Sequence, residues 1–151
     1  MKDFAEMPEM YPADILAYAE DPRRWSRESV GQQVIKAYNP LCGDKYEIRF
    51  DLETAIVRPT FHGYGCVLSK ASHAILLDLM DGQSIQETID MIECFTHACQ
   101  GIHTGEDLDI RLLSFLQVRK YPARMDCVLL GWRAVHAALS NMPSRQYPVH
   151  A

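Results

Sequence analysis

Eight consecutive residues alternate without a break: Tyr46, Ile48, Phe50 and Leu52 are apolar, while Lys45, Glu47, Arg49 and Asp51 are charged. A helix would scatter the two sets around its circumference, whereas an extended strand puts one set on each face. The chain must therefore build a sheet here, with one face on a core and the other toward water. Glu53-Thr54 leaves room only for a tight turn, and residues 55–61 return as a second strand. Pro59 has no ladder donor, so this strand is expected to be irregular or to lie at an edge. The result is an antiparallel hairpin. Its outer ends carry Cys42 and Cys66, which are distant in sequence and become neighbours in space.

Beyond Cys66 the apolar period changes to that of a helix. Val67, Leu68, Ala71, Ile75, Leu76, Leu79 and Met80 recur at helical spacing until Asp81-Gly82 closes the run. Ser84 with Glu87 forms a capping box, opening a helix through Ile85, Ile89, Ile92 and Phe95 to about Cys99. Residues 100–105 read as a loop, and 107–118 hold a short helix with Leu108, Leu112, Leu113 and Leu116. Pro122 precedes a final helix over about 123–139, with Val128, Leu129, Trp132, Val135 and Leu139 among its apolar positions. Upstream, 14–20 reads as a short helix capped by Asp14, and 25–37 as loop or extended chain. The expected fold class is α+β: a small antiparallel sheet of about three strands, covered on one face by several helices. One domain over 1–151 is expected, with a loose lead-in at 1–12, a core at 13–140 and a tail at 141–151.

A formal net charge of -5 offers no basic footprint for nucleic acid. No apolar run approaches the roughly 20 residues needed to span a bilayer, so no membrane partner is expected. The first ten residues carry Asp3, Glu6 and Glu9 and lack the apolar centre of a signal peptide. A cytoplasmic, reducing compartment is the expectation, in which thiols stay free. The cysteines number five, an odd count, so they read as core filler, metal ligands or nucleophiles.

Three of them sit where a metal-bound thiolate is plausible. Cys42 lies in the turn-rich Asn39-Pro40-Leu41-Cys42-Gly43-Asp44, where Gly43 lets Cys42 and Asp44 face one point. Cys66 ends Gly63-Tyr64-Gly65-Cys66 at a helix start, and Cys127 is placed in the first turn of the last helix, near Arg124. A helix amino terminus and a nearby cation both favour the thiolate, which zinc and iron–sulfur clusters require. Together the four side chains describe a Cys/Asp/Cys/Cys site; the competing reading is that each cysteine merely packs. Cys94 and Cys99 project about 140° apart on a helix and read as packing, although His97 lies one turn from Cys94. Of the histidines at 62, 73, 97, 103, 136 and 150, His62 and His73 flank Cys66 and are the ones that could approach the site. GxSxG, P-loop and GxGxxG motifs are absent.

These motifs resemble those of the U-type iron–sulfur cluster assembly proteins (NifU amino-terminal domain, IscU and SufU). The resemblance rests on Asn39-Pro-Leu-Cys42-Gly-Asp44, on Gly63-Tyr-Gly-Cys66-Val-Leu-Ser69-Lys-Ala-Ser72 and on Pro122-Ala-Arg124-Met-Asp-Cys127 ahead of an apolar helix. Pro22-Arg23-Arg24 is similar to the family's Pro-Arg-Asn element, and the likeness runs from about residue 14 to 140. The long stretch between Cys66 and Cys127, with an insertion at 100–109, is closest to the SufU branch. Asp126 departs from the histidine that IscU-like members place before the third cysteine, and from the basic residue usual in SufU-like members.

The resemblance implies zinc held by Cys42, Asp44, Cys66 and Cys127, with Cys42 accepting persulfide sulfur from a SufS-like cysteine desulfurase. Docking of that enzyme would exchange a ligand and free Cys42, with Arg124 pairing to the released Asp44. The alternative it implies is a scaffold that assembles a [2Fe–2S] cluster, or first binds Fe2+, on Cys42, Cys66 and Cys127. The cluster would pass to a downstream iron–sulfur carrier or apo-protein. Whether the chain is an enzyme, a sulfurtransferase working with the desulfurase, is left open between the two.

Overall fold

The computed structural model describes residues 13–20, 25–26, 31–102 and 105–142. The lead-in at 1–12, Pro22-Arg23-Arg24, the side chain of Asp14 and most of the tail lie outside these. The elements run α1 (Ala13–Glu20), β1 (Gln33–Tyr38), β2 (Lys45–Leu52), β3 (Ile56–Tyr64), α2 (Val67–Met80), α3 (Ile85–Cys99), a 3-10 helix (Ile110–Lys120) and α4 (Pro122–Ser140). The sheet is antiparallel in the order β1-β2-β3.

The alternation that forced a sheet is met in β2, where Tyr46, Ile48 and Phe50 are all buried. β3 starts at Ile56 rather than residue 55, after a turn closed by the Glu53 N–H to the Ala55 carbonyl at 3.0 Å. Its register against β2 shifts between Arg49↔Thr60 and Asp51↔Val57. The extra residues there are Arg58, at φ 53, and Pro59. Proline donates no ladder bond and sits in an edge strand at a bulge, so the expected irregularity has a location. Arg58 holds its left-handed backbone while its guanidinium bonds Asp51 Oδ2 at 3.1 Å.

β1 is a full strand where the sequence suggested loop or extended chain. Ile35 and Ala37 point into the core and Lys36 and Tyr38 out of it, but Val34 also faces outward, 42% exposed. An apolar residue on the water face blurs the period of two.

The segment at 110–120 differs as well. It is a 3-10 helix, with the Asp109 carboxylate accepting from the Arg111 N–H at 2.9 Å. Its buried residues are Leu112, Phe115 and Val118, spaced by three, while Leu113 is 42% exposed. Three residues per turn is the 3-10 period, which puts these three on one side of the helix.

Two contacts fix α2 against α4. The Ser72 hydroxyl donates to the Val128 carbonyl at 2.7 Å and accepts from Trp132 Nε1 at 2.8 Å, all buried. One turn on, Gly131 makes room for His73: a Cβ there would lie 2.2 Å from His73 Nε2. The His73 ring is stacked on Tyr46 at 4.3 Å, and Nδ1 pairs with the Ser69 carbonyl. Those bonds and contacts set how the start of α2 meets the start of α4.

Candidate metal centre

The six-residue β1–β2 connection is built around Asn39. Its N–H donates to the Asp44 carbonyl at 2.9 Å, its carbonyl accepts from Gly43 N–H at 2.7 Å, and its Oδ1 accepts from Leu41 N–H at 3.0 Å. Gly43 takes φ +81, a conformation glycine adopts without steric cost. The turn holds Leu41 and Cys42 outward and folds Asp44 into the protein. Because Lys45 pairs with Tyr64, the chain before β2 and the chain after β3 run side by side, bringing Asp44 near Gly65-Cys66. Gly65 lacks a Cβ where the Tyr46 hydroxyl sits, 1.9 Å from where that atom would be.

Cys127 Sγ lies 3.5 Å from Cys42 Sγ. Ligand atoms of Cys42, Asp44 and Cys127 all lie within 4.8 Å of one another. Cys66, the N-cap residue of α2, joins through its thiol contact with Cys127. Cys42, Asp44 and Cys127 therefore share one point at one end of the sheet, and Cys66 sits beside Cys127 but outside that set of mutually close ligand atoms. Their exposure is graded: Cys42 is open to solvent, whereas Asp44, Cys66 and Cys127 are buried.

The thiols differ electrostatically. Cys66 falls to about 7, chiefly because Cys127 donates to it, helped by the Ser69 amide at the helix start and by the charge of Arg124. Cys127 is pushed up as the donor to Cys66, and also by burial and by Asp44. The helix terminus, expected to favour a Cys127 thiolate, lies farther from Cys127 than the sequence suggested. With Pro122 as the first helical residue, Cys127 falls in the second turn, where the dipole has faded. The positive charge of Arg124 contributes to lowering Cys66. Arg124 forms no ion pair with Asp44, whose buried Oδ2 has no hydrogen-bond partner.

The donor set fits a thiophilic divalent ion such as zinc. Two sulfurs bound to one tetrahedral zinc at about 2.3 Å would lie about 3.8 Å apart, close to the 3.5 Å between Cys42 and Cys127. An unpartnered buried carboxylate oxygen is costly, and a cation would supply what Asp44 Oδ2 lacks. The same thiolates suit an iron–sulfur cluster.

The remaining candidates stand apart. His73 is buried and spent on core contacts, and burial lowers it to about 4, so it is neutral. His62 lies on the far face of the sheet, in a groove with Lys36 and Glu47. Cys99 is buried and pushed up to about 12, and Cys94 is raised by burial, consistent with packing. Ser72 and Trp132, which align α2 with α4, do not stand out in the sequence. An isolated Ser or Trp in a helical pattern carries no signal of its partner.

A three-stranded sheet with helices on one face, gathering three thiols and a carboxylate at one end, defines a class of small thiolate metal-site proteins. The chain belongs to the NifU-like N-terminal domain family, whose model matches residues 10–148. It is 29% identical over 141 residues to the zinc-dependent sulfurtransferase SufU of Bacillus subtilis, covering 91% of this chain and 94% of that protein. It is 28% identical over 140 residues to the iron–sulfur cluster assembly scaffold protein IscU of Thermotoga maritima, covering 88% and 94%. Among solved structures it resembles FiSufU of Fervidobacterium islandicum AW-1, with a TM-score of 0.77, 26% identity and coverage of 88% and 98%. No helix among the described residues is long and apolar enough to cross a membrane.

Proposed function

We propose that this protein works in iron–sulfur cluster assembly as a zinc-holding acceptor of sulfur, with Cys42 the accepting thiol and a cysteine desulfurase the donor. Cys42, Asp44, Cys66 and Cys127 are the ligands in this reading. Bound there, zinc would keep the thiols deprotonated and shield them from oxidation. The observation that carries the assignment is the graded exposure: Cys42 is the thiol of the cluster open to solvent, at the tip of a turn, 3.5 Å from buried Cys127.

The transfer is a thiol–persulfide exchange. The Cys42 thiolate attacks the terminal sulfur of the persulfide on the desulfurase, a Cys42 S–S bond forms, and the enzyme's S–S bond breaks. The enzyme leaves as a thiolate, with no net oxidation. Arg124, whose field already reaches Cys66, helps hold negative charge in the pocket while Cys42 reacts.

The test is to incubate the protein with a cysteine desulfurase and free cysteine, then map persulfide by mass spectrometry. One extra sulfur on Cys42 is expected. Cys42→Ser should abolish it, while Cys94→Ser and Cys99→Ser leave it intact; undiminished loading of Cys42→Ser rejects the assignment. The second reading, a scaffold for a [2Fe–2S] cluster on the same cysteines, is favoured by the near-equal likeness to IscU. A brown chromophore after addition of iron and sulfide, transferable to an apo-protein, would decide for it.

A further inference from the structure

Behind the thiols, the hydroxyls of Tyr46 and Ser69 are buried and neither has a hydrogen-bond partner of good geometry among the described residues. Both side chains lie inside the protein, where an idle hydroxyl is costly. The two crowd one spot. A Cβ on Gly65 would lie 1.9 Å from the Tyr46 hydroxyl and 3.0 Å from Ser69 Oγ, and the Ser69 side chain acts directly on the phenol. Gly65 immediately precedes Cys66, so the phenol abuts the corner where the chain leaves β3 and enters α2.

Ser69 connects this spot to the thiols and to the core. Its amide donates to the Cys66 sulfur, and its carbonyl pairs with His73 Nδ1. The His73 ring in turn stacks on Tyr46 at 4.3 Å, so the phenol is held by its face with its hydroxyl against the first turn of α2. Asp44 and Tyr46 are two residues apart where the chain enters β2, and both are buried. Extended chain puts such residues on one face. Tyr46 therefore stands between the strand that carries Asp44 and the helix start that carries Cys66.

We propose that the Tyr46 and Ser69 hydroxyls form a latch, the phenol donating to Ser69 Oγ, and that this latch positions Cys66 as the fourth ligand of the thiol site. The inference rests on the metal-site reading above and adds Tyr46 to it as a positioning residue. Ligand atoms of Cys42, Asp44 and Cys127 lie within 4.8 Å of one another, while Cys66 is outside that set beside Cys127. Cys66 is thus the sulfur whose engagement depends on how its own helix start is held. Pairing the two hydroxyls satisfies both idle groups at once, and it ties β2 to the residue whose amide already holds the Cys66 sulfur.

The test titrates the full-length, metal-free protein with cobalt(II), a coloured ion that accepts the same thiolate sites as zinc. The intensity of its sulfur-to-metal charge-transfer band follows the number of bound thiolates. The parent should show three. Tyr46→Phe keeps the ring and its stack on His73 but removes the hydroxyl, so the band should fall by about a third and cobalt affinity by about tenfold. Ser69→Ala should do the same, and the double variant should lose no more than either single one, because the two hydroxyls act as one unit. Tyr38→Phe, at an exposed tyrosine, should match the parent, and circular dichroism should confirm the fold of each variant. A parental band and affinity in Tyr46→Phe, even with a lowered melting temperature, overturns the latch, as do losses that add in the double variant. A parent without any thiolate band overturns the metal-site reading itself.

Discussion

In the interior of an exposed helix, alanine in place of glycine stabilises by roughly 1 kcal/mol. At Gly131 the structure requires the opposite sign. A Cβ on Gly131 would lie 2.2 Å from His73 Nε2 and 2.3 Å from Cδ2, about 1 Å inside ordinary contact. The ring has no room to retreat. Its Nδ1 is held by the Ser69 carbonyl, and its face is stacked 4.3 Å from Tyr46. Relief must come from α4 backing away or from the ring leaving its rotamer, and overpacking of that kind costs about 1–3 kcal/mol. After the propensity gain is subtracted, Gly131→Ala should destabilise by up to about 2 kcal/mol in urea unfolding. The decisive comparison is with His73→Ala, which removes the obstruction. In that background the same Gly131→Ala change should stabilise, by up to about 1 kcal/mol. Equal effects in the two backgrounds would refute the reasoning, as would a stabilising Gly131→Ala in the parent. Retained zinc, measured in the same samples, should fall in Gly131→Ala because α4 also carries Cys127.

Three further outcomes are expected. His73 is neutral in the folded state, lowered to about 4 from an ordinary value of 6.5, so the unfolded chain binds the proton first. Stability should therefore be full above pH 6.5 and decline by about 3 kcal/mol toward pH 4; His73→Phe should flatten this slope in pH-dependent denaturation, and an unchanged slope would contradict it. Asp44→Asn should be neutral or stabilising by about 1 kcal/mol in metal-free protein, because the buried Oδ2 has no partner to lose, yet should weaken zinc retention in a chelator competition. Ser84→Ala, which removes the acceptor for the Glu87 N–H at 3.0 Å, should cost about 1 kcal/mol in thermal or urea unfolding.

What could be read in the sequence was what repeats or is punctuated locally. β2 declared itself by strict alternation, α3 by its capping box and α4 by Pro122 at its start. β1 was hidden because Val34 faces water, and the 3-10 helix because Leu108, Leu113 and Leu116 mimic an α-helical stripe while Phe115 and Val118 pack inside. The residue types of the site were legible from Cys42 beside Asp44, and from Cys66 at a helix start. Their meeting was only partly so: the hairpin register accounts for Cys42 and Cys66, but Cys127 arrives through Ser72, Val128 and Trp132. Such long-range hydrogen bonds leave no periodic trace. The pull of Arg124 on Cys66 likewise depends on tertiary placement.

The Ser72 hydroxyl that clasps both the Val128 carbonyl and the Trp132 indole has a reach beyond the interior it occupies. Val128 directly follows Cys127, and Ser72 stands less than two turns beyond Cys66, so the spacing between two of the sulfurs is inherited from how a tryptophan is seated. Conservative changes at Trp132, far from solvent, would thus act as tuning screws on ion affinity, and occupancy by an ion would in turn stiffen the helix pair that the indole holds.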